Sequence, residues 1–335
     1  MRSVGIIVVA LGIAVIMGMP ACAYEPDYGA IAIAGSFSKE QMASSLMGSL
    51  NLILQAQGVN TDYTDLMGHS GAAFRAALDD RWDFGSMDMY FEFDFLKLTL
   101  EAYGWSYVQV PDLGANITEA VKKSIDAGIP ALGVVSGVGD FAPIVGYVPS
   151  SGEIITREWG TGKTSYLRPT LDNASNVVIL TKNGAPRAKT DAVKQGLARA
   201  VWLWKEAKEP GCAWGAAAYE KWIADLRNRA RIDELTKDFA IASANRYIFR
   251  CFQDARTQAV EYLKRHADDL GPEAAPHFQR AVQQYATARD ALKELPPAQN
   301  WDAAAREKQA KQLEAALAAE RSGIAAIEDA LKAAK

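Results

Sequence analysis

The chain has 335 residues, of which 49% are hydrophobic and 23% charged, and its formal net charge is −4. This length and apolar content allow two domains of ordinary size with real cores, and they exclude a largely disordered chain. Acidic and basic residues are interspersed, so no basic field is available to nucleic acid phosphates. We therefore expect no nucleic acid partner.

The first two dozen residues have the pattern of a secretory signal peptide. An uncharged apolar run from Val4 to Met19 is followed by Ala21 and Ala23 at the small-residue positions of a cleavage site. The run has roughly 16 residues, fewer than the ~20 that a membrane-spanning helix needs. We expect residues 1–23 to be removed and the mature chain to begin at Tyr24. The protein is then secreted or periplasmic, with no stable membrane span.

The cysteines raise two further questions about the mature protein. Cys22 suggests a lipoprotein as an alternative, but Met19 stands where the lipid-attaching machinery favours leucine, so a soluble exported protein is preferred. After cleavage only Cys212 and Cys251 remain. In an oxidising compartment these two could form one disulfide bond between helices, the alternative being two separate buried thiols.

From residue 30 to about 182, helical and strand-like patterns are mixed. The apolar periodicity predicts helices over residues 38–57, 70–79, 91–103 and 117–127, then strands over 131–136, 142–148, 154–158 and 177–181. Helices first and an antiparallel sheet afterwards is the order of an α+β fold.

Beyond a turn-rich junction at residues 183–186, nearly every segment has helical periodicity. Helices are predicted over residues 190–208, 214–230, 233–270 and 302–334. The last has one apolar stripe, formed by Leu313, Leu317, Ile324, Ile327 and Leu331. The sequence thus predicts an α+β domain over 24–186 and an all-α helical bundle over 187–335.

Nucleotide and metal motifs are incomplete. The segment that ends in Gly162-Lys163-Thr164 resembles a P-loop, but Arg157 stands where that motif requires glycine. The histidines are His69, His266 and His277, and the last two match no standard zinc spacing and are expected to be exposed to solvent. We therefore expect neither a cofactor nor a metal.

Three blocks in a fixed order indicate a family. They are SKEQMASSL at residues 38–46, GHSGAAFR at 68–75 and GDFAPIVGY at 139–147. Together they resemble the N-terminal papain-like domain of the butirosin biosynthesis protein H family, which is related in outline to the peptidases that process bacteriocin leaders. The resemblance covers roughly residues 30 to 182 and implies a papain-like fold for this part of the chain.

The resemblance also implies where catalysis would occur. Such folds use a cysteine at the start of the first long helix, a histidine at the start of a strand, and an orienting acid or amide on the next strand. In this sequence Met42, Asp140 and Glu158 fall at those positions. A thioether cannot become a thiolate, and a carboxylate is a weaker base than imidazole at neutral pH. The family's thiol chemistry is therefore expected to be absent.

The resulting hypothesis is a non-catalytic papain-like protein that retains the ancestral groove. The groove would bind a peptide, an amide-containing small molecule or a component of the cell envelope. Its expected lining is Gln41, Met42, His69, Ser70, Phe74, Asp140, Phe141 and Trp159.

Two other functions remain open from the sequence. Ser44 or Ser45 could act as a hydroxyl nucleophile with His69 and Asp140, which would give a hydrolase or acyltransferase of unusual design. Alternatively, the helical domain is the functional part, and it binds another envelope protein.

Overall fold

A computed structural model gives the chain a mixed architecture of helices and antiparallel sheets, followed by a C-terminal helical region. The structure describes residues 29–31, 33, 42–83, 86–87, 93–110, 115–135, 140–151, 153–157, 166–167, 174–237 and 240–334. The expected signal peptide and Cys22 lie outside the described residues.

The strands form two antiparallel sheets. In chain order they are β1 (Gly29–Ala30), β2 (Ala77–Asp79), β3 (Trp105–Gln109), β4 (Ala131–Val135), β5 (Asp140–Val148), β6 (Glu153–Arg157), β7 (Tyr166–Leu167), β8 (Ala174–Lys182) and β9 (Cys212–Trp214). The larger sheet has the order β3-β8-β4-β5-β6-β7, with β1 also paired to β5. The smaller sheet joins β2 to β9, with Ala77 opposite Trp214 and Asp79 opposite Cys212.

The helices lie on both sides of the sheet and dominate the second half. They are α1 (Ser45–Ala56), α2 (Tyr63–His69), α3 (Phe93–Ala102), α4 (Ala115–Asp126), α5 (Lys189–Lys205), α6 (Ala216–Arg227), α7 (Arg229–Leu235), α8 (Ile241–Arg265), α9 (Ala275–Ala291) and α10 (Ala303–Ala333). A short 3₁₀ turn covers Ala72–Phe74. None of the helices described here is long and apolar enough to cross a bilayer.

The larger sheet is covered on both faces, which explains its apolar strands. Along β5, Phe141 and Val145 belong to the same hydrophobic cluster as Leu50 of α1, whereas Ala142 and Ile144 pack in a cluster with Val121 of α4. A strand buried on both faces has an almost continuous apolar sequence instead of a polar alternation. The predicted strands at 131–136, 142–148, 154–158 and 177–181 are confirmed as β4, β5, β6 and β8.

The predicted helix over residues 70–79 is wrong. The helix precedes this segment instead, because Asp62 caps the start of α2 by accepting a hydrogen bond from Asp65 N at 3.0 Å. Gly71 then has a φ of 81°, a left-handed conformation that ends the helix. The 3₁₀ turn and strand β2 occupy the remainder of residues 70–79. The apolar spacing that predicted a helix therefore belongs to a turn followed by a strand.

The N-terminal and helical regions share the largest of the hydrophobic clusters among the described residues. The junction at residues 183–186 does lie in an extended link between β8 and α5. However, Leu50 and Val145 belong to the same buried cluster as Leu263 of α8 and Tyr285 of α9. Helix α8 also contributes to a second cluster farther toward its start. The two regions are therefore packed together through this shared cluster, while the cluster around Val121 of α4 belongs to the N-terminal region alone.

A buried ion pair lies between α8 and α10. Arg256 donates from Nε and Nη2 to the Glu320 carboxylate at 2.5 and 2.7 Å, and both side chains are 0% exposed. Tyr219 donates a short hydrogen bond to the same carboxylate, and Arg256 also donates to the backbone oxygen of Arg75. The Arg256 guanidinium lies 4.0 Å from the centre of the Phe252 ring. This network connects three helices and the segment that precedes β2.

Candidate functional site

The start of α1 is joined to the start of β5 by serine hydroxyls. Ser45 Oγ accepts a hydrogen bond from Phe141 N at 3.3 Å, and Ser49 Oγ donates to Phe141 O at 2.9 Å. Ser44 is the N-cap of α1, and its Oγ accepts from Met47 N at 3.4 Å. These contacts bring the first and third sequence blocks together. We call this region the α1–β5 junction.

A carboxylate from α8 occupies the amino end of the same helix. Asp254 Oδ2 accepts hydrogen bonds from Ala43 N at 3.0 Å and from Tyr63 Oη at 2.7 Å. The Tyr63 oxygen in turn accepts a hydrogen bond from Ser44 N at 3.0 Å. The amino end of a helix carries partial positive charge, which attracts a carboxylate. In this protein a carboxylate of the chain itself accepts the backbone N–H of Ala43, just before the N-cap of α1.

Burial has the largest effect on the ionisation of these groups. It raises the pKa of the Asp254 carboxyl above its ordinary value, although hydrogen bonds from Tyr63, Gln258 and Ala43 N act in the opposite direction. Burial, together with the nearby Asp254 charge, raises the pKa of the Tyr63 phenol well above its usual range. Tyr63 therefore stays protonated and acts as a hydrogen-bond donor to Asp254.

The expected groove residues have different environments. Met42 is half-buried against the larger core cluster, and Asp140, the first residue of β5, is buried. Gln41, Glu158 and Trp159 lie outside the described residues.

Three other expected groove residues belong to the interior. Ser70, Phe74 and Phe141 are all buried. Ser70 Oγ donates hydrogen bonds to Leu66 O and Met67 O. The ring of Phe74 packs edge-on against the ring of Tyr285. Helix and strand packing covers all three side chains, and their expected role in ligand binding stays a prediction.

His69 is not joined to the serine hydroxyls. Its Nδ1 forms a hydrogen bond with Tyr262 Oη at 2.9 Å, and its ring lies against Tyr103 and His266. Within the described residues, no hydrogen bond connects this imidazole to Ser44 or Ser45, whose partners lie at the α1–β5 junction. The geometry gives no support to a hydroxyl–imidazole pair for nucleophilic catalysis.

His69 belongs instead to a second cluster, which the sequence analysis missed. Asp65 and His69 lie one turn apart on α2, and His266 is the C-cap residue of α8. The candidate ligand atoms of the three side chains all lie within 4.8 Å of one another. The expectation that His266 is exposed is wrong, because it is only 1% exposed beneath the packed end of α8.

Hydrogen bonds fix the orientation of His266. Its Nδ1 lies 2.5 Å from Asp269 Oδ2, and its Nε2 lies 3.2 Å from Asp65 Oδ1. Arg265 donates from Nη1 to Asp65 Oδ1 at 2.7 Å and to Asp62 Oδ1 at 2.8 Å. The cluster therefore contains imidazoles and carboxylates, with one arginine at its exposed edge.

Burial and neighbouring charges set the ionisation of the cluster. Burial lowers the pKa of His69 to about 4, so this imidazole is neutral at physiological pH. Burial acts to raise the pKa of Asp65, but the hydrogen bond to His266 and the Arg265 charge outweigh it and keep that pKa below its ordinary value. The site thus offers an ionised carboxylate beside a neutral imidazole.

Two glycines permit close helix contacts, Gly196 between α5 and α2, and Gly68 between α2 and Tyr262 of α8. A Cβ atom on Gly196 of α5 would lie 2.3 Å from Gly68 O and 3.0 Å from His69 Cα, which no real side chain tolerates. Likewise, a Cβ on Gly68 would overlap the ring of Tyr262. These glycines permit the close approach that places His69 next to Tyr262 and His266.

The predicted disulfide bond is not present. Cys212 lies in the short strand β9 and Cys251 in α8, and each is a thiol. Cys251 is buried in the second core cluster, whereas Cys212 is half-buried. The alternative of two separate thiols therefore describes the structure.

Comparisons with known proteins add no relatives, because no family model and no curated protein matches the sequence.

Proposed function

We propose that this chain is an exported, non-enzymatic papain-like binding protein. Its ligand would be a peptide, an amide-containing small molecule or a cell-envelope component, bound near the α1–β5 junction. The papain-like part of this proposal comes from the three sequence blocks, and export comes from the apolar segment at residues 4–19.

One observation carries the non-enzymatic part of the proposal. At the amino end of α1, Asp254 accepts the Ala43 N–H, and Ser45 accepts the Phe141 N–H. Enzymes of the resembled type need this helix end to stabilise a thiolate. Here a carboxylate accepts the N–H of the residue just before the N-cap, and the hydroxyls of Ser44 and Ser45 each take part in a structural hydrogen bond. The neighbouring Met42 cannot supply a nucleophile.

Covalent probes test the absence of catalysis. We expect the purified mature protein to remain unlabelled at Ser44 and Ser45 by a fluorophosphonate, because both hydroxyls are buried and no imidazole of the described residues forms a hydrogen bond with them. Intact-mass and peptide mass spectrometry provide the measurement, with a known serine hydrolase as the positive control. Stoichiometric labelling of either serine would refute the non-enzymatic proposal and favour the hydrolase.

Peptide binding tests the proposed role more directly. We expect short synthetic peptides to bind the wild-type protein in affinity-selection mass spectrometry, and Met42→Arg to weaken that binding about tenfold or more, since it places a charge beside the junction. Val108→Arg is the matched control, because Val108 lies on strand β3 and is 64% exposed. Equal binding by both variants would show that the ligand site lies elsewhere.

A further inference from the structure

We propose that Asp65, His69 and His266 form a binding site for a divalent transition metal ion. This inference is independent of the proposed function, since it concerns α2 and the end of α8 and not the α1–β5 junction.

The geometry of the three side chains fits a mononuclear site. Asp65 Oδ1 and His266 Nε2 are 3.2 Å apart. Two ligand atoms of a tetrahedral zinc ion, each bonded at about 2.0–2.1 Å, are separated by about 3.3 Å. All three ligand atoms lie within 4.8 Å of one another, so a small inward movement of His69 completes the site. The two ligands on α2 follow an i, i+4 spacing, which puts them on one helix face.

Both histidines have the outer hydrogen bonds that metal-binding imidazoles need. Asp269 binds His266 Nδ1 at 2.5 Å, which leaves Nε2 toward Asp65. Tyr262 binds His69 Nδ1 at 2.9 Å, so Nε2 would be the ligand atom of that ring. A carboxylate on the far nitrogen fixes ring orientation and increases ligand basicity.

The local charge is compatible with a cation despite one nearby arginine. Arg265 pairs with Asp65 and Asp62, and its side chain is 39% exposed. Arg265 Nη1 and His266 Nε2 both contact the same oxygen, Asp65 Oδ1, so ion binding there requires Arg265 to move to Asp65 Oδ2 or to keep only its contact with Asp62. Two imidazoles and one carboxylate suit Zn²⁺ or Co²⁺, and three protein ligands leave a position for water.

The competing explanation is a purely structural network. In that explanation, the contacts of His266 with Asp65 and Asp269 connect α2 to the end of α8 without any metal. Metal titration separates the two explanations, because the structural network alone gives no specific binding.

The test is a titration of the metal-free full-length protein with Zn²⁺ by calorimetry and with Co²⁺ by visible absorption. We expect one ion per chain. His69→Gln and His266→Gln should each raise the Kd by at least about 100-fold, and Asp269→Asn by about 10–100-fold. His277→Gln is the matched control and should leave the Kd unchanged, because His277 lies on α9 and outside the cluster.

Several results would overturn the proposal. They are a wild-type Kd for Zn²⁺ weaker than about 100 µM, equal losses in His69→Gln and His277→Gln, or retention of one bound ion by the His266→Gln variant. If the cluster variants do not fold, X-ray absorption of the zinc-loaded wild type decides. Two imidazole nitrogens at about 2.0 Å are expected, whereas sulfur from Cys212 or an all-oxygen shell contradicts the site.

Discussion

The Glu320→Gln variant is expected to lose about 3–5 kcal/mol of unfolding free energy, because it leaves a buried arginine without its counter-charge. Glutamine keeps the shape of the side chain and can still accept the hydrogen bond from Tyr219. It removes the negative charge that compensates Arg256, whose guanidinium is completely buried. Urea unfolding followed by circular dichroism provides the measurement.

A second ion pair on the same helix supplies the control. Glu328 of α10 binds Lys205 Nζ at 2.6 Å, but both side chains are about a third or more exposed. Glu328→Gln should therefore change stability by less than about 1 kcal/mol. In the double variant Arg256→Met/Glu320→Gln, no unpaired charge remains, so we expect part of the loss to be recovered. Equal costs for Glu320→Gln and Glu328→Gln would contradict the burial argument.

Gly196→Ala is expected to destabilise the fold by about 2 kcal/mol, even though alanine is the better helix former. Alanine in the interior of α5 gains about 1 kcal/mol of helix propensity. However, the alanine Cβ would clash with backbone atoms of Gly68 and His69, and backbone atoms cannot relieve a clash by changing rotamer. Overpacking against backbone atoms is expected to cost about 3 kcal/mol, the upper end of the usual range, which leaves a net loss of about 2 kcal/mol. Denaturant unfolding measures the balance, and α2 is expected to move away from α5.

Ala198→Gly isolates the propensity effect. Ala198 is on the same helix and exposed, so its replacement should cost about 1 kcal/mol through propensity alone. If Gly196→Ala instead stabilised the protein by that amount, the close contact between α2 and α5 would be disproved.

The sequence predicted elements whose signal is local. The apolar runs of β4, β5, β6 and β8 and the periodicity of α10 were identified because each is readable within one short window. Strand β3 was missed, since Trp105–Gln109 has one buried and two exposed residues and no clear alternation. The error at residues 70–79 arose from a capping contact and a left-handed glycine, which periodicity does not encode.

The α1–β5 junction and the Asp65–His69–His266 cluster also each contain contacts that the sequence indicates and contacts that it does not. The resemblance placed the first and third blocks near one another, but nothing local indicated that Asp254 would reach Ala43 across more than half of the chain. The Asp65–His69 spacing was a detectable signal, whereas His266 and Asp269 reach that face only through the packing of α8 against α2. Long-range contacts of this kind depend on the tertiary fold and cannot be read from a single sequence.

The ladder between β2 and β9 has a kinetic consequence. Residues 79 and 212 are opposite each other, so this small sheet closes a loop of roughly 130 residues. Such a closure loses much chain entropy before its few backbone bonds can compensate, and contacts of low sequence separation form sooner. We therefore expect β2 and β9 to pair late in folding, after the hairpins of the larger sheet have formed. Newly made chains then pass through an intermediate in which the segment around Trp214 is not yet packed.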